Sequence, residues 1–515
     1  MNILEDGSFI KLVDCPLNLF SLIRELTTLN IEVERREEIK KHIPIYYSSI
    51  MDPSASVLCK EQEEDRASFN VIITKGYLHT VIKYCNLLKI IYDLDAKLIN
   101  SSPYIDEELL SPHLRDYQKA AVKKALQNKF ITIKSPTGSG KTFIMSEILR
   151  FLPKDKNILF LVPKVSLLSQ TRRVIEDYLQ EYDKYERVGV IGSGEFDIER
   201  ITIAIPNTLS RRLKTQKYGE DIIKYLESIH SLFIDECGEV LPTVTGWEVV
   251  NACSNRKFSI AVSATPKTNN GMKTLIEGLS GPLLFEISEK ELIERGYIER
   301  PNIKIYEVPK TYITPRLINT RFNPKVYNIL YDKCIVNHKE RNLLIVDKVY
   351  EYVNESDLPI AIIVKRVGTS GSNKISHAII LQKLLKAKGL DFPIIHGKSG
   401  RSKIDSVLKD LKKGSIKGLI SGPKTISSGV DVSSLGAVAL AQGEKSDVDL
   451  IQRIGRSLRK DPKKNESLII DCYDTQSWFQ SHSKSRIRVS QSIYGQDSVT
   501  LYNLEGEEVP INTLY

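Results

Sequence analysis

Residues 130–152 read FITIKSPTGSGKTFIMSEILRFL, and the change of periodicity inside this stretch decides the fold. FITIK is a run of β-branched and aromatic residues of strand length, whereas TFIMSEILRFL repeats its apolar residues at helical spacing. Between them, SPTGSGKT (135–142) is small, glycine-rich and basic at its end. A loop that holds phosphate needs backbone N–H groups turned inward, small residues so that the backbone can approach, and a helix amino terminus facing the anion. Gly138 and Gly140 allow the turn, Lys141 can reach the β- and γ-phosphates, and the Thr142 hydroxyl suits a Mg²⁺ ligand. Ser135 stands where the strict pattern has glycine, and the inner glycines, lysine and threonine are intact. Pro136, Thr137, Ser139 and Phe143 complete the expected cradle and first helical turn.

Outward from this loop, FITIK, NILFLVP, ITIAIP, SLFID and FSIAVSAT alternate with helical patterns between residues 130 and 265. That alternation predicts a parallel sheet with helices on both faces. After the charged connector EKELIERGYIERP (289–301) a second series follows: AIIVKR, DFPIIHG, GLISGP, AVALAQ and SLIIDCYD. The fold class expected is α/β, with two tandem parallel-sheet domains at 111–288 and 300–475. Residues 1–105 carry FIKLV, NVIIT and the amphipathic YLHTVIKYCNLLKIIY, which predict a small α/β domain ahead of them. INSSPYIDEELLSP (99–112) reads as the linker out of that domain, and 476–515 as a basic extension that packs on or extends the second domain.

The chain has 515 residues and a net charge of +9, unevenly placed: −6 over residues 1–110 and +11 over 301–515. Such an imbalance is compatible with a polyanionic partner, and equally with a solvated basic surface. Seven cysteines are scattered without CxxC or Cys/His spacing, so neither a zinc site nor a disulfide framework is expected. No apolar run approaches membrane-span length and the start is acidic, which points to a cytoplasmic protein without a membrane partner.

A second stretch, LFIDECGEV (232–240), ends an apolar run in two acids. Alone it reads as a solvated turn. Beside a phosphate loop it reads differently, because a nucleoside triphosphatase needs one carboxylate for Mg²⁺ and another to orient or deprotonate the attacking water. Asp235 and Glu236 fit those two tasks in that order, at the end of a neighbouring strand.

With both stretches in place, the remaining patterns resemble those of a superfamily 2 helicase of the DExH-like kind. RDYQ (115–118) resembles the adenine-reading segment, through Arg115 and Gln118. LVPKVSLLSQ (161–170) and AIPNTLSRR (204–212) resemble strand-tracking motifs, and VSAT (262–265) the motif linking hydrolysis to strand movement, through Ser263 and Thr265. IIVKRVG (362–368), IIHGKSG (394–400), ISSGVD (426–431) and QRIGRSLR (452–459) follow in the family's order. Within the superfamily the layout is most similar to the phage recombination and repair helicases of the UvsW type. In that case the cytoplasm would be a host's.

The resemblance implies two RecA-like domains and an ATP- and Mg²⁺-dependent enzyme that unwinds or branch-migrates DNA: forks, Holliday junctions, displacement loops or RNA:DNA loops. Replication or recombination proteins are possible further partners. An RNA-directed helicase or transcript-release ATPase stays open, as does an ATP-binding interaction protein with little turnover. Arg456 and Arg459 would stabilise the γ-phosphate, their three-residue spacing placing both on one helix face. Gln452, Gly429 and Asp431 belong to the same nucleotide machinery by resemblance. Lys164, Ser166, Gln170, Thr208 and Arg211 in the first domain, and Lys365, Arg366, Gly397, Lys398, Thr425 and Ser428 in the second, are the expected strand contacts. The amino-terminal domain would either recognise branched substrates, through a basic face such as Lys75, Lys83 and Lys89, or dock a partner protein. Gly238 departs from the family, whose members commonly have histidine there; the expected consequence is altered coupling between ATP turnover and unwinding.

Overall fold

A computed structural model describes residues 1–6, 9–16, 18–19, 22–23, 68–95, 106–136, 138–182, 186–215, 219–266, 272–298, 300–311, 323–367, 376–396, 399–423, 425, 435–444 and 467–511. The chain divides into two units, one comprising Met1–Pro136 with Gly140–Ile287 and the other beginning at Ser288.

The first unit contains two sheets. Strands β1 (Asn2–Asp6), β2 (Phe9–Pro16), β3 (Ser68–Thr74) and β4 (Asp93–Leu94) form a four-stranded sheet in the order β3-β2-β1-β4. Pairing is antiparallel except between β1 and β4. The large sheet is built from β5 (Phe130–Lys134), β6 (Asn157–Leu161), β7 (Val188–Gly192), β8 (Glu195–Phe196), β9 (Ile201–Ala204), β10 (Ile229–Asp235), β11 (Phe258–Ser263) and β12 (Leu283–Glu286). Its order is β12-β5-β11-β10-β6-β9-β7-β8, parallel throughout except for the β7–β8 hairpin at one edge. Strands covered by helices on both faces read as continuous apolar runs. Accordingly β7, β9 and nearly all of β6 and β10 are buried along their length. Phe160 and Phe233, paired in register on β6 and β10, stack with ring centroids 4.4 Å apart.

The four-stranded sheet shares its core with the larger unit: Ile3, Ile10, Leu12, Ile73 and Val81 pack into one apolar cluster with Leu275, Ile276 and Leu279 of the helix Met272–Ser280. Polar groups reinforce the junction. Glu5 accepts hydrogen bonds from Lys75 at 2.5 Å and from Lys257 at 2.8 and 3.0 Å. This corrects one expectation: Lys75 is buried in an ion pair and presents no DNA-facing charge, while Lys83 and Lys89 are exposed. The backbones also approach closely. A Cβ added at Gly76 would lie 2.2 Å from the Glu277 carbonyl oxygen and 2.5 Å from that of Gly278. Gly76→Ala therefore forces the two elements apart, and we expect it to lower stability by about 1–3 kcal/mol, read as a fall in the denaturation midpoint.

The second unit carries β13 (Pro301–Val308), β14 (Ile360–Ile363), β15 (Ile394–Ile395), β16 (Gly418–Ser421), β17 (Ala437–Leu440), β18 (Ser467–Asp474), β19 (Val499–Tyr502) and β20 (Glu508–Val509). The order is β15-β16-β14-β17-β18-β13-β19-β20, parallel except for β20. Strands β13 and β19 of this sheet are not among the runs read from the sequence. The charged connector ends in β13, between β18 and β19, and the stretch read as a carboxyl-terminal extension supplies β19, whose Tyr502 stacks on Tyr306 at 4.9 Å. The basic charge of that stretch is partly structural: Arg486, on the helix Ser477–Tyr494, is buried and donates to Asp471 at 2.8 Å and to the Cys472 carbonyl at 2.8 Å. Nearby, buried Arg341 donates to Asp474 at 2.7 Å.

The protein is thus an α/β molecule with two RecA-like sheet cores and a smaller amino-terminal unit. Among the described residues no helix is long and apolar enough to cross a membrane, and no cluster of three metal-ligating side chains occurs.

Candidate functional site

β5, β11 and β10 lie side by side and parallel, so their carboxyl ends bring three sequence-distant stretches together. Ser263 pairs with Lys134 and Val262 with Asp235. The Ser135 N–H donates to the Ser263 carbonyl at 3.0 Å, joining the start of the phosphate loop to VSAT. Gly138 and Gly140 have φ of 86° and 79°, a left-handed conformation open to glycine without strain. Gly140 caps the helix Lys141–Arg150, which begins with Lys141 and Thr142 as expected.

Lys141 Nζ donates to Glu236 Oε1 at 2.7 Å. The other Glu236 oxygen accepts from the Ser263 hydroxyl at 3.1 Å, and the Thr265 N–H donates to Ser263 Oγ at 3.2 Å. Glu236 is a non-glycine residue with φ 48°, strained where β10 turns into the one-turn helix Cys237–Val240. Asp235 Oδ1 accepts the Glu236 N–H at 2.9 Å. Asp235 is only 6% exposed. Burial, and then the adjacent Glu236 carboxylate, push it up to about 6, with Lys141 pulling the other way.

Gln118 connects the loop to the segment before it. Its Oε1 accepts the Arg115 N–H at 2.9 Å, tying down the start of the helix Asp116–Asn128. Its Nε2 sits 2.4 Å from where a Cβ on Gly140 would be. Glycine is required here by the backbone conformation, and the Gln118 amide occupies the space that a side chain would take. Phe143 is 47% exposed, with its ring edge-to-face on Tyr178 at 5.9 Å.

The expected strand contacts fall on several surfaces. Lys164 caps the helix Val165–Gln180 and forms an ion pair with Glu239 at 2.8 Å. Gln170 is half-buried on that helix; Ser166 lies on its first turn. Thr208 is half-buried and Arg211 exposed on the helix Pro206–Leu213. In the second unit Lys365 pairs with Glu444 and lies over the rings of Tyr327 and Tyr331, while Arg366 pairs with Asp332. Both cations carry carboxylate partners. Thr425 is buried, its N–H on the Gly422 carbonyl. Trp247 is core, and Trp478 stacks on Tyr327 in an aromatic cluster. Thr137, Gly397, Lys398, Ser428, Gly429, Asp431, Gln452, Arg456 and Arg459 lie outside the described residues.

Sequence reasoning missed Glu239, whose partner is 75 residues away. It also missed Glu147, fully buried on the helix Lys141–Arg150, which takes hydrogen bonds from Arg150, Tyr178 and the Ser111 N–H. Neither has a local sequence signal beyond an acid on a helix.

Residues 111–268 match the family described as type III restriction enzyme, res subunit, and residues 347–461 match the helicase conserved C-terminal domain. The chain thus has the domain architecture of a DExH-like superfamily 2 helicase, and it is an ATP-hydrolysing enzyme of that class. It is similar to the DNA 3'-5' translocase XPB2 of Sulfurisphaera tokodaii, 23% identical over 77% of this chain and 90% of the relative. It is equally similar to the ATP-dependent DNA helicase uvsW of Enterobacteria phage T4, 23% identical over 74% of this chain and 72% of the relative. The narrower likeness to the UvsW type is therefore one of several of comparable, weak strength. The structure of S. cerevisiae Dbp5 bound to RNA and ADP BeF3 shares the fold, with a TM-score of 0.51 at 16% identity, covering 76% of this chain and 94% of that one.

Proposed function

We propose that this protein is an ATP-driven DNA helicase or translocase that unwinds or branch-migrates branched DNA. The observation that carries the motor reading is the chain of contacts from Lys141 through Glu236 to Ser263, across three strand ends. Lys141 neutralises Glu236 across 2.7 Å. Phosphate draws the ammonium away, and the freed carboxylate orients and deprotonates water. Ser263, hydrogen-bonded to Glu236, then registers the change at VSAT. Gln118 and Arg115 hold the nucleotide base, and Arg456 and Arg459 supply cations for the charge developing on the transferred phosphoryl group.

Mg²⁺ fits the residues present. Its small octahedral shell is usually completed by phosphate and water with one or two protein oxygens, and Asp235 is a buried acid with Lys141 as its nearby cation. Asp235 and Thr142 would hold it. When bound, the ion draws charge from the phosphate oxygens.

DNA as the strand, in place of RNA, is supported by the two relatives named for DNA work. The branched substrate is supported by the amino-terminal unit, which shares a core with the first motor domain and so can bear load against it. The test is a panel of single-stranded, forked, four-way and RNA:DNA substrates with ATP and Mg²⁺. We expect strand-stimulated hydrolysis and faster processing of forked and four-way DNA than of blunt duplex. Equal rates on all of them overturn the branched reading, and a preference for RNA overturns the DNA one.

A further inference from the structure

We infer that Lys164 and Glu239 form a strand sensor: Lys164 exchanges its Glu239 partner for a phosphate of bound single-stranded DNA, and the released Glu239 reports that exchange to Glu236. The inference rests on the DNA reading above and assigns Glu239 as a positioning residue.

The geometry is compact. Lys164 Nζ lies 2.8 Å from one Glu239 oxygen and 3.2 Å from the other. Glu239 belongs to the one-turn helix that follows Glu236, and its N–H donates to the Glu236 carbonyl at 2.7 Å. Any tilt of that turn is felt by Glu236, whose backbone is already strained at φ 48°. On the other side, Lys164 begins the 16-residue helix Val165–Gln180, so its position is fixed by a long element.

Exposure makes the exchange feasible. The two side chains are 35% and 37% exposed, and a pair so hydrated is weak enough for a phosphate to displace. The Lys141–Glu236 pair is more enclosed, at 12% and 24%. Gly238 offers no side chain to tie this turn elsewhere, which leaves the Glu239 carboxylate as a natural handle.

The experiment measures affinity for a labelled single-stranded DNA without nucleotide, and hydrolysis with and without saturating strand, for wild type, Glu239→Gln, Lys164→Ala and the double variant. Removing the competing carboxylate should tighten strand binding by up to about fivefold, the equivalent of one exposed ion pair. The same variant should lose part of the stimulation of hydrolysis by strand. Lys164→Ala should bind more weakly, with its log affinity against log salt slope reduced by about 0.7. In that background Glu239→Gln should no longer tighten binding. A merely structural Glu239 would weaken binding and hydrolysis together. Unchanged or weaker binding by Glu239→Gln, or tightening that persists without Lys164, overturns the inference while the DNA reading stands. A wild-type enzyme indifferent to DNA overturns both.

Discussion

Glu236→Gln lowers steady-state ATP turnover by about 10²- to 10⁴-fold, the range for a positioned general base, and leaves ATP affinity equal or higher. The substitution keeps shape and an oxygen able to accept from the Ser263 hydroxyl at 3.1 Å. What it removes is the charge. Without that charge no strong base remains to take the water's proton, and Lys141, 2.7 Å away, no longer has a carboxylate to leave before reaching phosphate. Binding and chemistry therefore move in opposite directions, which a damaged fold would not do. Nucleotide titration and single-turnover hydrolysis separate them. Turnover within twofold of wild type would remove Glu236 from its role.

Glu5→Gln destabilises the first unit by about 3–5 kcal/mol, the cost of removing one member of a buried ion pair. Lys75 is 3% exposed in its side chain and Glu5 9%, with Lys257 as a second cation on the same carboxylate. The amide leaves the buried Lys75 ammonium and the partly exposed Lys257 ammonium beside buried Arg256 without that carboxylate. Replacing Lys75 with Met in the same chain should recover part of the loss, because it removes the more buried of the two stranded charges. The pH dependence has a definite sign. Burial raises Glu5, but hydrogen bonds and charge from Lys257 and Lys75 outweigh it and hold the carboxyl below its ordinary 4.5. Its stabilisation is thus full above about pH 4.5 and fades as pH falls through the lower folded-state value. Denaturation midpoints of wild type and variant should converge in that acid range. A difference that stays constant into acid would mean the carboxylate charge is not what holds the junction.

Much of the fold is legible in the sequence because its determinants are local. FITIK, NILFL and SLFID read as buried parallel strands since both faces are covered, and SPTGSGKT reads as a phosphate loop since its glycines precede a helix. β13 and β19 carry no such local signal. PNIKIYEV alternates polar with apolar and follows a charged connector, and VTLY is four residues inside a polar tail. Their place in the sheet follows from pairing with each other and with β18, which no local pattern encodes. Lys75 misled for a related reason: beside Lys83 and Lys89 it reads as a basic face, but its partner Glu5 lies 70 residues earlier.

By itself the sequence determined the element types, the order of the motifs and the chemical kinds of side chain at the phosphate loop and the acid pair. These depend on spacing within a few residues. Only the tertiary structure decided which charges meet: Lys141 with Glu236 across 95 residues, Lys164 with Glu239 across 75, Lys257 with Glu5 across 252. An ion pair is a short-range contact between groups of no fixed sequence separation. Its partners are chosen by strand order and helix packing, and those are settled only when the whole core closes.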